Sequence, residues 1–249
     1  MMLKKIVIVG ATSAMAEHCA RLWVQQSPKK LILAGRDQVK TELVAQDLQV
    51  RSPQSEIIVQ VIDFHDPSRI RSWVEQIVAD GVLDIVLIAH GSLPDQTVCQ
   101  QDLRLCKDAL TVNGVSPVLF AEAFAGAMQV ADKGTLAIIG SVAGDRGRKS
   151  NYVYGSAKGL VTRYVQGLQH RLARTNVKVV LIKPGPTDTP MTADLKGQGA
   201  KLANVVDIAR MIVDGIAQGK PVVYAPGKWA LIMMVIRHLP RFVFNRIDI

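Results

Sequence analysis

Seven short apolar runs recur along this chain, each rich in Val or Ile and without alternating polar residues. They cover residues 5–9, 31–34, 57–62, 85–89, 135–140, 177–182 and 222–224. Runs of this kind are typical of a parallel sheet covered on both faces. Longer segments with helical periodicity separate them, including 14–25, 39–50 and 67–79. The alternation predicts a single α/β domain with a doubly wound parallel sheet, whose ligands lie at the carboxyl ends of the strands.

Composition agrees with one folded domain, which we assign to residues 1–227, followed by an apolar and basic tail at 228–249. Of the 249 residues, 49% are apolar and 20% are charged, enough for a large core. The three cysteines have no metal-like spacing and are odd in number, so neither a disulfide framework nor a metal site is expected. A reducing cytoplasm is the simplest setting. The apolar run after the first lysines is too short for a signal peptide.

The net charge of +9 is compatible with nucleic acid, acidic lipid or anionic substrates as partners. The basic residues are scattered, and the sequence has no stripe of basic and aromatic residues of the kind found in nucleic-acid binders. We therefore expect no nucleic-acid partner.

The first apolar run leads through a tight turn, "GATSAMA", into a predicted helix. A helix N-terminus offers free N–H groups and positive dipole to a pyrophosphate. Dinucleotide sites usually place glycines here, but only Gly10 remains, and Ala14 and Ala16 take the later small-residue positions. Alanine is tolerated there unless φ must be positive. An ordinary βα turn is the alternative. The candidate pyrophosphate residues are Gly10, Thr12, Ser13, Ala14 and Met15.

The ends of the second and third runs bear on the adenosine part of a dinucleotide. Arg36 follows Gly35 and suits a 2′-phosphate, which favours NADP over NAD, unless it is a solvated loop cation. Asp37 is predicted to cap the next helix. Asp63 is predicted either to accept a hydrogen bond from the adenine amino group or to cap the helix that starts near Pro67.

Tyr154 and Lys158 lie four residues apart in "YGSAK" and share one face of a predicted helix, whereas Tyr152 points elsewhere. An ammonium beside a phenol favours the phenolate and is expected to lower the tyrosine pKa. Ser141 lies upstream of Tyr154, in "IIGSVAG". The pairing of Tyr154 with Lys158 indicates a general acid or base, but a Tyr-x-x-x-Lys spacing by itself is common by chance.

Together these segments resemble the short-chain dehydrogenase/reductase family over nearly the whole chain. The matching motifs are "GATSAMA", "IAHG", "TVNGVSP", "IIGSVAG", "YGSAK" and "KPGPTDTP". The departures are the two alanines and His90, where the family usually carries asparagine. The resemblance implies a Rossmann-type fold and NAD(P)-dependent interconversion of a ketone and a secondary alcohol.

The resemblance also implies roles for the matched residues. Tyr154 would be the general acid, Lys158 would lower its pKa and hold the cofactor ribose, and Ser141 would bind the substrate oxygen. Asn113 would hold a water that links Lys158 to solvent. Further cofactor contacts are implied at Ala89, Gly91, Pro184, Gly185, Thr187 and Thr189. We interpret His90 as structural rather than catalytic.

Two segments suggest a substrate, namely the tail and the loop that runs from Ser141 to Arg148, here called the serine loop. The apolar run 229–236 is too short to span a bilayer, and the tail either packs on protein or lies at a lipid surface with Arg237, Arg241 and Arg246. Residues 140–160, around Ser141 and Tyr154, and residues 231–247 of the tail both resemble the bacterial branch containing decaprenylphosphoryl-2-keto-ribose reductase. This implies a lipid-linked or sugar-like carbonyl substrate. Arg146 and Arg148 are interpreted as phosphate ligands or as solvated charges.

Two other functions remain open, a 3-oxoacyl-thioester reductase and a non-catalytic dinucleotide sensor. The polar segment 191–204 is predicted to be a lid that orders on substrate. The family resemblance implies a homodimer or homotetramer that associates through the helix carrying Tyr154. We expect a cytoplasmic protein, with peripheral membrane contact through the tail as an option.

Overall fold

Seven strands form one parallel sheet in this computed structural model, which describes residues 3–247. They are β1 (Lys4–Val9), β2 (Lys29–Gly35), β3 (Glu56–Val61), β4 (Ile85–Ile88), β5 (Thr135–Ile139), β6 (Lys178–Pro184) and β7 (Val222–Ala225). Each predicted run forms one strand. The order is β3-β2-β1-β4-β5-β6-β7, and all neighbouring pairs are parallel. The predicted doubly wound fold is confirmed; residues 1–2 of the predicted domain and 248–249 of the predicted tail lie outside the described residues.

Helices connect the strands and cover both faces of the sheet. They are α1 (Ala14–Gln26), α2 (Gln38–Arg51), α3 (Pro67–Ala79), α4 (Gln96–Gln101), α5 (Leu103–Leu110), α6 (Ser116–Ala131), α7 (Tyr152–Arg171), α8 (Ala193–Gly197), α9 (Val205–Ala217), α10 (Lys228–His238) and α11 (Arg241–Phe244). A π-helical turn, Thr111–Val115, joins α5 to α6, and short 3₁₀ helices lie at Val142–Asp145 and Pro190–Thr192.

Two apolar cores explain why the strands lack polar alternation. On one face Val7 and Val9 pack with Phe120 and Phe124 of α6, and on the other Ile6 and Ile8 pack with α1 and α9. Both sets of strand side chains are fully buried. Because each buried Ile or Phe contributes about 1.5–3 kcal/mol, neither face tolerates a polar residue.

The helical run Leu103–Ala131 is long and apolar enough to cross a membrane by length and composition. Phe120, Phe124 and Met128 of this run are buried in the core against the sheet. The run is thus a core helix of this fold.

The tail packs on the domain from Lys228 to Phe244. Met233 of α10 is fully buried. Arg146 donates to the carbonyl oxygens of Ile236 at 2.6 Å and Leu239 at 2.7 Å, and its guanidinium carbon lies 3.8 Å from the Phe244 ring centroid. The packing alternative therefore describes one face of this segment, and Arg146 is a structural residue rather than a phosphate ligand.

Candidate active site

The strand order reverses between β1 and β4, and a cavity of about 480 Å³ opens at the carboxyl ends of these strands. Such a reversal is where doubly wound sheets bind their ligands. The cavity is lined by eight of the predicted cofactor residues, namely Gly10, Thr12, Ser13, Ala14, Met15, Arg36, Gly91 and Thr189.

The start of α1 faces this cavity with open N–H groups. Ser13 is the N-cap, and within the described residues its side chain makes no capping hydrogen bond. Gly10 has φ of +85°, and a Cβ there would lie 2.6 Å from the backbone nitrogen of His90. Only Asp132 has a positive φ among the described non-glycine residues, so Ala14 and Ala16 are unstrained. Glycine is thus kept at the one position that requires it.

Basic side chains line part of the cavity. Arg36, Lys40 and His65 all line it, and Asp37 caps α2 as predicted by accepting from the Lys40 N–H at 3.1 Å. The sequence analysis missed Lys40 and His65. The signal for Lys40 was its position in the first turn of α2, close in sequence to Arg36.

Asp63 lies outside the lining of this cavity. Its carboxylate accepts from the His65 N–H at 2.8 Å. Asp66 instead caps α3, accepting from Ser68 and Arg69. The capping alternative for Asp63 is therefore wrong. Its side chain bonds within a local turn, and the cap of α3 is Asp66, three residues further along the chain.

A second cavity, of about 130 Å³, adjoins the first and is lined by residues from several separate segments of the chain. Asn113, Ser141, Tyr154 and Lys158 all line it. The predicted residues from the other strand ends, Ala89, Gly91, Pro184, Gly185, Thr187 and Thr189, line it as well.

Tyr154 and Lys158 occupy one face of α7, with Lys158 Nζ 5.8 Å from the centroid of the Tyr154 ring. Lys158 is buried, and Nζ donates to the Ile139 carbonyl at 3.1 Å. Burial lowers the pKa of Lys158 to about 8. The pKa of Tyr154 is raised by burial, and the Ser141 hydroxyl acts weakly in the opposite direction. The predicted lowering of the Tyr154 pKa by Lys158 is thus wrong for this structure, because desolvation of the phenol dominates.

Ser141 ends the loop after β5 and begins the 3₁₀ helix Val142–Asp145. Its Oγ accepts from the Ala143 N–H at 3.1 Å, and the residue is buried beside the phenol. This bond uses a lone pair and leaves the hydroxyl proton for a substrate oxygen.

Asn113 is fully buried in the π-helical turn. Its Oδ1 accepts from the Ser92 N–H at 2.8 Å and its Nδ2 donates to the Ala109 carbonyl at 2.9 Å. The amide thus fixes the loop after β4 against this turn. Single π-turns within α-helices often lie at functional sites.

His90 is a structural residue by its contacts. Its Nε2 lies 2.9 Å from Ser116 Oγ, which donates to the Phe64 carbonyl, and the ring packs against Phe64 and Phe120. Burial lowers the His90 pKa to about 3. The imidazole is therefore neutral at physiological pH.

A buried ion pair beneath the serine loop went unnoticed in the sequence. Lys183 of β6 pairs with Asp145, whose carboxylate also accepts from the Tyr224 hydroxyl at 2.9 Å. Burial, and then Asp145, raise the pKa of Tyr224 to about 12. The signal was one lysine inside the apolar run "VVLIKP". This network anchors the loop after Ser141 to β6 and β7.

Comparison with known proteins agrees with this geometry. Residues 4–199 match the short chain dehydrogenase family, and the chain belongs to that family. It is 29% identical to an uncharacterized oxidoreductase of Streptomyces coelicolor, over 98% of this chain and 96% of that one. The predictions of the family and of an oxidoreductase are confirmed.

Two solved structures share the fold. One is a short-chain dehydrogenase from Sphingobium yanoikuyae in complex with NADPH, with a TM-score of 0.84, 20% identity, and coverage of 99% of this chain and 97% of that one. The other is the bulky-bulky ketone specific alcohol dehydrogenase from Comamonas testosteroni, with a TM-score of 0.80, 20% identity, and coverage of 100% and 96%.

Proposed function

We propose that this protein is an NADP(H)-dependent reductase that interconverts a ketone and a secondary alcohol, with Tyr154 as its general acid and base. The observation that carries the proposal is the meeting of Tyr154, Lys158 and Ser141 in one cavity that adjoins the cavity at the start of α1. Ser141 comes from the loop after β5, and Tyr154 and Lys158 come from α7.

The residues present fit a nicotinamide dinucleotide. Open N–H groups at the start of α1 suit a pyrophosphate, and the close approach at Gly10 keeps the turn free of side-chain bulk. Arg36, with Lys40 and His65 beside it, suits the 2′-phosphate of NADP. The bound cofactor supplies or accepts the hydride. The Sphingobium yanoikuyae structure, solved with NADPH, supports this choice.

The proton step belongs to Tyr154. Because burial raises its pKa, the phenol is protonated at neutral pH and can donate to a carbonyl oxygen. Ser141 donates a hydrogen bond to the same oxygen, and Lys158, protonated below about pH 8, stabilises the phenolate left behind. Both ends of the Asn113 side-chain amide already make hydrogen bonds within the protein. We therefore propose that Asn113 positions the π-helical turn beside Lys158. The water that links Lys158 to solvent would then be held by the main chain of this turn.

For the substrate we propose a sugar-like or lipid-linked ketone, as the resemblance to the branch with decaprenylphosphoryl-2-keto-ribose reductase implies. Leu93, Met191 and Leu195 give the second cavity an apolar side. A 3-oxoacyl thioester is the runner-up within the family. A non-catalytic dinucleotide sensor needs none of the three reaction-centre side chains.

The test is NADPH and NADH oxidation with keto-sugars, simple bulky ketones and acetoacetyl thioesters. We expect turnover of a ketone with NADPH preferred by about 10-fold or more, because hydrogen bonds to a charged group contribute about 1.5–3 kcal/mol. Arg36→Leu should remove this preference. If the parent protein and Arg36→Leu showed the same preference between NADPH and NADH, the NADP assignment would be contradicted. Faster turnover of thioesters than of ketones would favour the 3-oxoacyl-thioester reductase.

We also propose that the outer face of the tail contacts anionic lipid. Leu231, Val235 and Phe242 are more than half exposed, at 64%, 53% and 67%. Arg237 and Arg241 lie beside them and are exposed. Apolar side chains flanked by cations are typical of interfacial helices. Flotation with anionic vesicles should be lost in Leu231→Glu/Phe242→Glu, which leaves the packed face intact; unchanged flotation would contradict this contact.

The proposed dimer or tetramer would use the exposed apolar residues of α7 and its neighbour. Leu160 of α7 is 43% exposed and Leu103 of α5 is 79% exposed. Light scattering of Leu160→Glu should show a smaller particle than the parent protein, and an unchanged mass would argue against this surface.

A further inference from the structure

Arg148 carries a charge without a partner in the reaction centre. It follows the 3₁₀ helix Val142–Asp145 and lines the same cavity as Ser141 and Tyr154. Its Nε is buried, and neither a hydrogen-bond acceptor for that atom nor a carboxylate for the guanidinium is present within residues 3–247. Arginine remains protonated in proteins and is almost never buried unless paired.

The contrast with Arg146 shows that this is a property of the position. Arg146 lies two residues earlier in the same loop. Its Nη1 donates to the carbonyl oxygens of Ile236, in the last turn of α10, and of Leu239, and its guanidinium packs on the Phe244 ring. Arg148 points instead towards the cavity. There burial alone lowers its pKa, with no charged neighbour contributing.

A second polar group in this cavity is also unsatisfied. Asn151 precedes α7, and its Oδ1 is buried with no donor among the described residues. It lines the cavity with Arg148. A guanidinium that lacks an acceptor and an amide oxygen that lacks a donor together match an anionic group next to a hydroxyl.

We infer that Arg148 binds an anionic oxygen group, a phosphate or a carboxylate, on the carbonyl substrate itself, and that Asn151 accepts from a neighbouring hydroxyl. The inference rests on the proposed function, because Tyr154 must act on the same molecule. The cavity measures about 130 Å³, so the anion lies within a few bonds of the reacting carbonyl. The planar guanidinium suits either oxyanion through paired hydrogen bonds.

The experiment compares matched ligands that differ in charge. Dihydroxyacetone phosphate is paired with dihydroxyacetone, and levulinate with methyl levulinate. Each is titrated into the full-length protein loaded with NADPH, dissociation constants are read from the NADPH fluorescence, and turnover is followed in parallel. The variants are Arg148→Gln, Arg148→Lys and, as matched control, Arg163→Gln, an exposed arginine of α7. The affinity for NADPH and the melting temperature of each variant establish that it is folded.

We expect at least one charged ligand to bind about 10-fold or more tightly than its neutral partner. This ratio should fall close to one in Arg148→Gln, stay intermediate in Arg148→Lys and remain unchanged in Arg163→Gln. Preference in the phosphate pair alone or the carboxylate pair alone identifies the anion. A ratio near one for both pairs in the parent protein, or a ratio that survives in Arg148→Gln, would overturn the inference. A retained ratio with no turnover of any ketone would count against the proposed reductase and not against the anion site.

Discussion

Lys158 and Lys183 lie at the same edge of the sheet and are equally buried, each with 3% of its surface exposed. Lys183 is neutralised by Asp145, which Tyr224 also binds. Lys158 has a backbone carbonyl as its hydrogen-bond partner, and its pKa falls to about 8. One lysine belongs to a closed network, and the other has a charge that its surroundings do not balance.

The difference separates scaffold from reaction centre. A buried charge with its counter-ion fixes a loop, whereas a buried charge without one shifts its pKa and is available for chemistry or for a ligand. Arg146 and Arg148 repeat the comparison two residues apart in one loop. Unsatisfied polar groups therefore mark the site more sharply than the shape of the cavity does.

Replacing Lys158 should give the largest effect. Lys158→Met removes the cation that stabilises the Tyr154 phenolate, and we expect turnover to fall by about 10³-fold or more. Unfolding should become harder at pH 7, by about 1–3 kcal/mol, because an uncompensated buried charge is lost. NADPH oxidation and urea unfolding measure the two effects. A less stable variant with parental turnover would reverse the comparison.

Replacing Lys183 should act in the opposite sense. Lys183→Met leaves Asp145 buried and unpaired, and we expect a loss of about 3–5 kcal/mol in the free energy of unfolding. Lys183→Met/Asp145→Asn should recover much of it. These two variants and Asp145→Asn alone are measured by urea unfolding, and the double-mutant cycle gives the coupling. Absence of coupling would show that the pair is not a unit.

Arg146 tests the scaffold half of the serine loop. Arg146→Gln loses charge-assisted hydrogen bonds to the carbonyls of Ile236 and Leu239 at the end of α10, and we expect a loss of about 1.5–3 kcal/mol in stability. Limited proteolysis should then cut within 228–247 more readily, while Arg163→Gln serves as control. Equal cleavage of both variants would separate Arg146 from the packing of the tail.

The pH dependence of turnover and stability tests the buried charge of Lys158. Ketone reduction should decline as the pH rises through about 8, because Lys158 loses its proton there. The unfolded lysine titrates near 10.5, so between about 8 and 10.5 the unfolded chain binds more protons and stability gained from this site rises with pH. Lys158→Met should lack this rise. If the stability of Lys158→Met rose with pH between about 8 and 10.5 as in the parent protein, the assignment of this rise to Lys158 would be contradicted.

Much of the fold followed from the sequence because most of the strands are buried on both faces. The resulting Val- and Ile-rich runs located all seven strands within two residues at either end. Motif spacing likewise brought Ser141, Tyr154 and Lys158 to one cavity. In these cases a local pattern carries the information.

Properties set by contacts distant in the sequence did not follow. The pairing of Lys183 with Asp145 joins a strand to a loop 38 residues away. The separate fates of Arg146 and Arg148 depend on where the tail packs, and the direction of the Tyr154 pKa depends on desolvation. Asp63 was a candidate cap of α3 by its place before Pro67, and Asp66 takes that role in the folded chain. Burial and partner choice require the folded chain.

The most direct test of the account is the rate of hydride transfer in Tyr154→Phe, measured in a single turnover together with the dissociation constant of NADPH. Tyr154 is the proposed proton donor, and phenylalanine retains the ring that packs in the cavity. The account predicts a rate lowered by about 10²–10⁴-fold with NADPH affinity unchanged within about two-fold. Parental rates of transfer to the ketone in Tyr154→Phe would contradict it.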